Sequence, residues 1–319
     1  MRRRLVLGLV VAGLATGCAP TVPSPSLERT APPTPAATAS PPIAASGTAG
    51  EVLQACRSAS SGGAPGGGRY LPEVGTAGGT LSIGAIADLA SADPLREALG
   101  PDGLLTSLVW RRPLLETMDG GFLPDLASVP PSLDNGLVTV TPDGAMAVTW
   151  CLRDTAWSDG RAITCADYQF TLHWLDDVVP DAAARFGSPV AVDCPTPQVA
   201  IVRYPAVFEP YALRSLPPLP RQALASVTAA DAADGGLFSP KALIDLPVSG
   251  PFRVTSLGAD GTLLFTANPG YRGGLLGTAT RLSQLSVSPF ATLPALEAAF
   301  QAGTVQLATG ISPTAITEL

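Results

Sequence analysis

The residues that could carry chemistry are few, and their spacing favours binding over catalysis. The single histidine, His173, lies in an apolar helical stretch, and no nucleophile–base arrangement can be built around it. Asp176 and Asp177 are adjacent on the same predicted helix, so their carboxylates point in different directions and make a poor acid–base pair. No Cys-x-x-Cys pair at zinc-ligand spacing and no P-loop motif occur in the sequence. We therefore expect a non-enzyme that has neither a cofactor nor a metal site.

The first 17 residues have the features of an export signal. Arg2–Arg4 form a charged start, and the apolar run Leu5–Ala15 is too short to span a bilayer as a stable anchor. The run ends in small residues directly before Cys18, which resembles a bacterial lipobox. The resemblance implies cleavage before Cys18, lipidation of its thiol and anchoring to the membrane through the acyl chains. The alternative is an ordinary secretory signal in which the position of Cys18 is a coincidence.

The other four cysteines favour disulfides. With Cys18 lipidated, an exported chain retains Cys56, Cys151, Cys165 and Cys194, an even number that predicts two bridges with three possible pairings. Cys151 and Cys165 flank a predicted turn and could meet across it, which would leave Cys56 to pair with Cys194. We prefer this pairing, although the sequence does not rank the three.

Composition divides the rest of the chain into a tether and a folded body. Residues 18–68 are rich in Pro, Ser, Thr, Ala and Gly and offer little to bury, although EVLQACR around Cys56 is a candidate for local order. Residues 69–319 have the composition of a globular domain, and they contain no apolar run long enough for a transmembrane helix. The formal net charge of -7 argues against a surface for binding nucleic acid.

The most informative stretch is Ala145–Asp177, which predicts a strand, a tight turn and a capped helix. Residues 147–152 alternate in the period-2 pattern of a strand. The turn at 157–160, WSDG, places Asp and Gly where local hydrogen bonds and positive φ are needed. Thr164 is the predicted N-cap, with Asp167 in the first helical turn.

Several segments follow one another in the order of a known family's landmarks. They are GGFLPDLAS, LRDTAWSDGRAITCADYQFTLHWL, VSGPFRV, NPGYRGG and LPALEAAFQAGTVQLATGISP. Together they resemble extracellular solute-binding proteins of family 5, the peptide- and nickel-binding components that capture substrates for ABC importers. The resemblance runs from about Gly79 to Pro313.

This resemblance implies an α/β fold, a class II periplasmic-binding-protein-like lobe of mixed sheets and flanking helices. It places the family's second lobe beyond Leu319, so we expect a truncated domain. The implied function is capture of a small solute, with an oligopeptide preferred, by a protein lipid-anchored at the extracytoplasmic face of the cell membrane. The implied partners are the permease and ATPase subunits of an ABC transporter. The alternatives are a surface lipoprotein that acts as a scaffold or signalling module, and a fragment without function.

The candidate ligand-binding residues follow the first predicted strand, residues 81–86. Ligands of open sheets bind beyond the carboxyl ends of the strands, and the resemblance implies that this segment lines the cleft. We therefore assign ligand binding to Asp88, Leu89 and Ala90, whose backbone could pair with a peptide as an added strand. Trp157 is a further candidate that would stack in the cleft, although we favour a core position beneath the turn.

A helix interrupted by proline is predicted at Leu104–Leu115. Pro113 removes a backbone donor and is expected to break the helix. Arg111 and Arg112 stand where the family commonly has an acid. We expect these two side chains to be solvated or ion-paired, and not to bind ligand.

Overall fold

The computed structural model describes residues 48–61, 76–86, 89–95, 103–117, 120–178, 180–228, 230–231, 236–272 and 280–311. All of these belong to the second of two compact units, Pro42–Leu319. The predicted export signal, Cys18 and Asp88 lie outside the described residues. Within the described part, no helix is long and apolar enough to cross a membrane.

The described chain alternates short helices and strands. The α-helices are α1 (Ala49–Ser61), α2 (Leu104–Val109), α3 (Cys165–Asp177), α4 (Arg221–Leu224) and α5 (Leu293–Gln301). The strands are β1 (Thr80–Ala85), β2 (Leu114–Glu116), β3 (Phe122–Pro124), β4 (Val138–Val140), β5 (Met146–Cys151), β6 (Ala191–Thr196), β7 (Val199–Tyr204), β8 (Phe252–Leu257), β9 (Leu263–Ala267), β10 (Gln284–Pro289) and β11 (Leu307–Thr309). Three 3₁₀ turns occupy Pro180–Phe186, Glu209–Tyr211 and Ala242–Ile244.

A five-stranded mixed sheet has the order β11-β1-β10-β9-β8. Strand β1 is parallel to both of its neighbours, β10 and β11, whereas β9 is antiparallel to β8 and β10. Helix α5 lies against β1, where Gly84 leaves room for the Leu296 side chain. The carboxyl ends of three parallel strands therefore meet at one edge of this sheet.

A four-stranded antiparallel sheet has the order β4-β5-β7-β6. Strand β5 is central, and both of its faces are buried. Val148 and Trp150 point into the main hydrophobic core, while Ala147 and Cys151 point into a second, smaller cluster on the opposite face. A central strand covered on both sides explains why β5 is apolar at nearly every position.

The strand, turn and capped helix predicted for Ala145–Asp177 are confirmed. Gly160 has φ of 87°, and the Asp159 carboxylate accepts the Arg161 N–H at 3.0 Å inside the turn. Helix α3 begins directly after Thr164, whose N–H donates to the Asp167 carboxylate at 2.8 Å. This hydrogen bond is half of the reciprocal capping arrangement that such residues form at helix starts.

The helix predicted for Leu104–Leu115 is shorter than expected. Helix α2 ends at Val109, Trp110 is already extended with φ of -118° and ψ of 141°, and residues from Leu114 form strand β2. The residue before a proline avoids helical geometry, and here the chain leaves the helix three residues before Pro113. The reason is tertiary: the Val109 carbonyl accepts the Gly250 N–H at 2.7 Å, and the Arg111 N–H donates to Ser249 Oγ at 2.9 Å.

Helix α1 lies inside the segment predicted as a tether and packs on the outer face of the four-stranded sheet. Cys56 joins it to β5 by a disulfide with Cys151, across 95 residues of sequence. Val52 and Leu53 pack against the second hydrophobic cluster beneath the helix. The local order predicted around Cys56 is thus a helix that packs on the body.

The preferred disulfide pairing is wrong, although all four cysteines do form bridges. The pairs are Cys56–Cys151 and Cys165–Cys194, not Cys151–Cys165 and Cys56–Cys194. Cys151 points to the face of β5 that α1 covers, whereas Cys165 begins α3 on the opposite face. The sheet therefore separates the two cysteines that flank the turn.

Candidate ligand-binding segment

The candidate segment begins where β1 ends, between the ends of its two parallel neighbours. The Ile86 N–H donates to the Thr309 carbonyl at 3.1 Å, and the Phe290 N–H donates to the Ala85 carbonyl at 2.8 Å. Gly310 passes so close to the Ile86 backbone that a Cβ at this position would collide with it. The backbone of three chain segments therefore converges at this edge of the sheet, where ligands of open α/β sheets bind.

After Ile86, the segment 89–95 contains both buried residues that anchor it and exposed residues. Leu89 is buried, with 9% of its surface exposed, whereas Ala90 and Ser91 face outward. Ala92 is fully buried, and its N–H donates to the Phe238 carbonyl at 2.9 Å. The segment therefore combines two exposed residues with two buried residues that fix it to the body.

The indole of Trp110 also anchors this segment. Its Nε1–H donates to the Ala92 carbonyl at 2.7 Å in a buried hydrogen bond. The Trp110 ring makes edge-to-face contacts with Phe238 at 5.9 Å and with Trp157 at 6.4 Å between centroids. Such geometry is favourable beyond the area that the rings bury.

Trp157 packs against Trp110, whose indole N–H in turn donates to the segment. Its side chain is fully buried, which favours the core position over stacking on a ligand. Its turn is joined to the segment before β8 by a reciprocal pair of hydrogen bonds, since Ser158 N–H donates to the Val248 carbonyl at 2.9 Å and Val248 N–H donates to Ser158 Oγ at 3.0 Å. Gly270 packs flat on the same turn, because a Cβ there would lie 2.5 Å from the Trp157 carbonyl oxygen.

A buried ion pair lies behind the turn. The Arg111 guanidinium, with 0% of its side chain exposed, donates from Nη2 to Asp125 Oδ1 at 2.8 Å and to the Asp125 carbonyl at 2.6 Å. Its Nη1 donates to Thr155 Oγ1 at 3.1 Å and to the Arg272 carbonyl at 2.9 Å, and the group lies 4.7 Å from the Tyr271 ring centroid. Arg111 is therefore ion-paired, as one of the two sequence alternatives held.

Burial controls the ionisation of the groups around this pair. Desolvation, with the nearby Asp125 carboxylate, raises the pKa of Tyr271 to about 12, so the phenol stays neutral. Burial lowers the pKa of Arg153, and the positive charge of Arg111 lowers it further. These shifts follow from packing cations and phenols in a poorly hydrated interior, and Arg111 lies in the core and not at the exposed segment.

The structure thus brings some of the predicted residues together and separates others. Leu89 and Ala90 follow the end of β1, and Trp157 is connected to their segment through Trp110, which contacts the Trp157 ring and donates to the Ala92 carbonyl. Trp110 could not be selected from the sequence, because an aromatic residue at the end of an apolar helix usually belongs to the core. The one available signal is its chemistry: a buried indole N–H usually has a hydrogen-bond partner.

Metal binding has no support among the described residues. Within them, no group of three or more His, Cys, Asp or Glu side chains is placed to hold an ion. His173 is exposed and lies 3.0 Å from the Asp177 carboxylate, one helical turn away. This is an ordinary surface pair at i and i+4.

Comparison with known proteins gives one consistent result. The model of the family described as bacterial extracellular solute-binding proteins, family 5, middle part, matches residues 123–319. A putative ABC transporter peptide-binding protein of Brucella ovis is 28% identical over 164 residues, which are 49% of this chain and 30% of that protein. A homologue of the same description in Brucella abortus matches to the same extent.

Solved structures share the fold. The ABC transporter substrate-binding protein CtaP of Listeria monocytogenes superposes with a TM-score of 0.58 and 21% identity, over 76% of this chain and 46% of that one. The oligopeptide-binding protein AppA of Bacillus subtilis, solved with a nonapeptide, gives 0.56 and 19%, over 72% and 44%. NikZ of Campylobacter jejuni, solved with Ni(L-His), gives 0.54 and 16%, over 71% and 42%. The chain has the mixed α/β fold of these class II lobes and spans about half the length of the solved proteins.

Proposed function

Because the chain belongs to the bacterial extracellular solute-binding proteins of family 5, we propose that it captures a small solute, an oligopeptide first, for an ABC importer. The permease and ATPase subunits would be other chains, since the sequence contains no P-loop. The protein would act outside the cytoplasm, held at the membrane through a lipid on Cys18. Relatives solved with a nonapeptide and with Ni(L-His) support a solute of this size class.

The observation that carries the proposal is the exposed segment at the carboxyl end of β1. Ala90 and Ser91 are exposed between the buried residues Leu89 and Ala92. An extended peptide would pair with backbone groups here in the manner of an added strand, so that recognition depends little on its side chains. Asp88, directly before Leu89, would supply a carboxylate for the peptide's ammonium group. Trp157 is fully buried, so it would pack in the core and would not contact the peptide.

Closure would complete the site. In two-lobed receptors the lobes close on the ligand by a hinge motion, which buries the ligand and presents a closed surface to the permease. The segment described here would form one wall of that site.

Thermal unfolding of the purified chain with a pool of di- to pentapeptides tests the proposal. A ligand that binds only the folded state adds about 2.7 kcal/mol at one hundred times its dissociation constant. For a domain of this size each kcal/mol raises the midpoint by about 2–4 °C, so a rise of about 5–10 °C is expected. Free amino acids at equal mass are the ligand control.

Two matched variants locate the binding. Asp88→Asn should reduce the rise with peptide, measured from the variant's own midpoint without peptide. Asp143→Asn, at an exposed hairpin tip on the other sheet, should leave both unchanged. A cooperative transition that never moves with peptide would reject peptide capture by this chain and favour a scaffold role.

A further inference from the structure

We propose that Trp110 is the positioning residue of the candidate ligand-binding segment, and that its indole N–H holds the backbone from Leu89 to Ala92 in a binding-competent form. The inference rests on the proposed function for the meaning of the segment. The geometry that supports it is independent of any ligand. Trp110 itself is only 4% exposed, so it acts through its hydrogen bond to Ala92 and not by touching a ligand.

Ala92 is held through both of its backbone polar groups. Its carbonyl accepts the Trp110 Nε1–H at 2.7 Å, and its N–H donates to the Phe238 carbonyl at 2.9 Å. Ala92 is fully buried, so water cannot replace either partner. Ala90 and Ser91 are exposed, so the anchored residue directly follows the exposed stretch in the chain.

Trp110 is itself held by contacts on several sides. The backbone N–H of Trp110 donates to the Thr106 carbonyl at 2.8 Å, and this hydrogen bond closes the last turn of α2. Gly250 packs against this turn so closely that a Cβ there would lie 2.6 Å from the Leu108 carbonyl oxygen. The two edge-to-face rings, Phe238 and Trp157, fix the indole plane. A donor fixed in this way imposes its geometry on the acceptor, since a buried carbonyl left without its partner is costly.

Trp157 has the same side chain as Trp110 and is also buried, but it interacts differently. The Asp167 side chain is the group that its indole N–H interacts with, which opposes the rise that burial causes in the pKa of that carboxyl, and no backbone carbonyl of the described residues accepts from this N–H. Trp157 therefore lacks the hydrogen bond to the backbone of the segment that Trp110 makes. The pair offers a matched comparison within one aromatic cluster.

The experiment compares Trp110→Phe with Trp157→Phe in the full chain by amide hydrogen exchange. Both variants keep an aromatic ring, and both should lower global stability, which the core amides of β5 report. Only Trp110→Phe should accelerate exchange in residues 89–95 relative to β5, by about 10- to 100-fold for the loss of a buried hydrogen bond. Equal acceleration of this segment in the two variants would overturn the inference.

Peptide binding supplies the functional measurement. With the di- to pentapeptide pool, Trp110→Phe should weaken binding by about tenfold, because only the fraction of molecules with an ordered segment binds. Trp157→Phe should bind like the wild type once its lower midpoint is taken into account. A wild-type chain that binds no peptide rejects the proposed function, while the exchange comparison still decides the role of Trp110.

A measurement on the wild type keeps the test decisive if Trp110→Phe fails to fold. Exchange of the tryptophan indole protons can be followed by NMR after ¹⁵N labelling of the side chain. The Trp110 Nε1–H should exchange only as fast as the segment opens, in step with the Ala92 amide. A Trp110 indole proton that exchanges much faster than the Ala92 amide would refute the role.

Discussion

Removal of the Cys56–Cys151 disulfide is expected to destabilise the protein more than removal of Cys165–Cys194. The first bridge spans 95 residues of sequence and the second spans 29. In the chain-entropy description, a bridge stabilises by restricting the unfolded chain, and the effect grows with the logarithm of the loop length. For these loops it amounts to about 4.7 and about 3.6 kcal/mol respectively.

The assay is urea unfolding of two double variants, Cys56→Ala/Cys151→Ala and Cys165→Ala/Cys194→Ala. Alanine is the better replacement, because serine would place a hydroxyl in sites where three of the four cysteines are buried. The free energy of unfolding should fall by about 1 kcal/mol more for the first pair. Equal slopes with respect to urea would show that the unfolded states are comparable.

The Cys56→Ala/Cys151→Ala variant also tests what holds α1 in place. An isolated helix of 13 residues is marginal in water, and within α1 only Cys56 is buried in the described structure. Without the bridge, α1 should detach, and trypsin should cut after the exposed Arg57 much faster than in the wild type. The reasoning would be refuted if Cys56→Ala/Cys151→Ala lowered the free energy of unfolding less than Cys165→Ala/Cys194→Ala did. It would also be refuted if α1 stayed resistant to trypsin in Cys56→Ala/Cys151→Ala.

Two further predictions concern buried charges. Asp125→Asn leaves the Arg111 guanidinium buried without a carboxylate, and should lower the free energy of unfolding in urea by about 3–5 kcal/mol. The double variant Arg111→Met/Asp125→Leu should lower it less than Asp125→Asn does, and a larger loss in the double variant would contradict this account. Burial raises the pKa of Asp167 above its ordinary value of 3.8. Its contribution to stability is therefore fully present below that value and is lost as the pH rises through the higher folded pKa. Asp167→Asn, which keeps an acceptor for the Thr164 N–H, should remove this decline, and parallel urea midpoints of variant and wild type between pH 3.5 and 6.5 would refute it.

Local elements were predictable because their signals are local. The WSDG turn needs a positive φ at Gly160 and a carboxylate at Asp159, and both residues are visible in the sequence. The start of α3 follows from Thr164 and Asp167 three residues apart. The end of β1 was predictable from an apolar run followed by polar and turn residues. These features depend on neighbours within a few positions.

The end of α2 and the ion pair of Arg111 were less predictable. Pro113 indicated a break, but the chain leaves the helix earlier because Ser249 and Gly250, distant in sequence, bind its last turn. The partner of Arg111 is Asp125. The sequence alone could not show whether Arg111 is paired with a carboxylate or exposed to solvent. A cation is fully buried here because four oxygen acceptors surround it, and only the fold assembles them.

The sequence by itself determined the family, the strand–turn–helix unit and the presence of four cysteines after Cys18. The tertiary structure alone decided how those cysteines pair and which tryptophan supports the segment. Residues on successive positions of a strand point to opposite faces, so Cys151 meets α1 while Trp150 enters the main core. Trp110 and Trp157 are equivalent as residue types, and only packing brings the Trp110 indole N–H within 2.7 Å of a buried carbonyl.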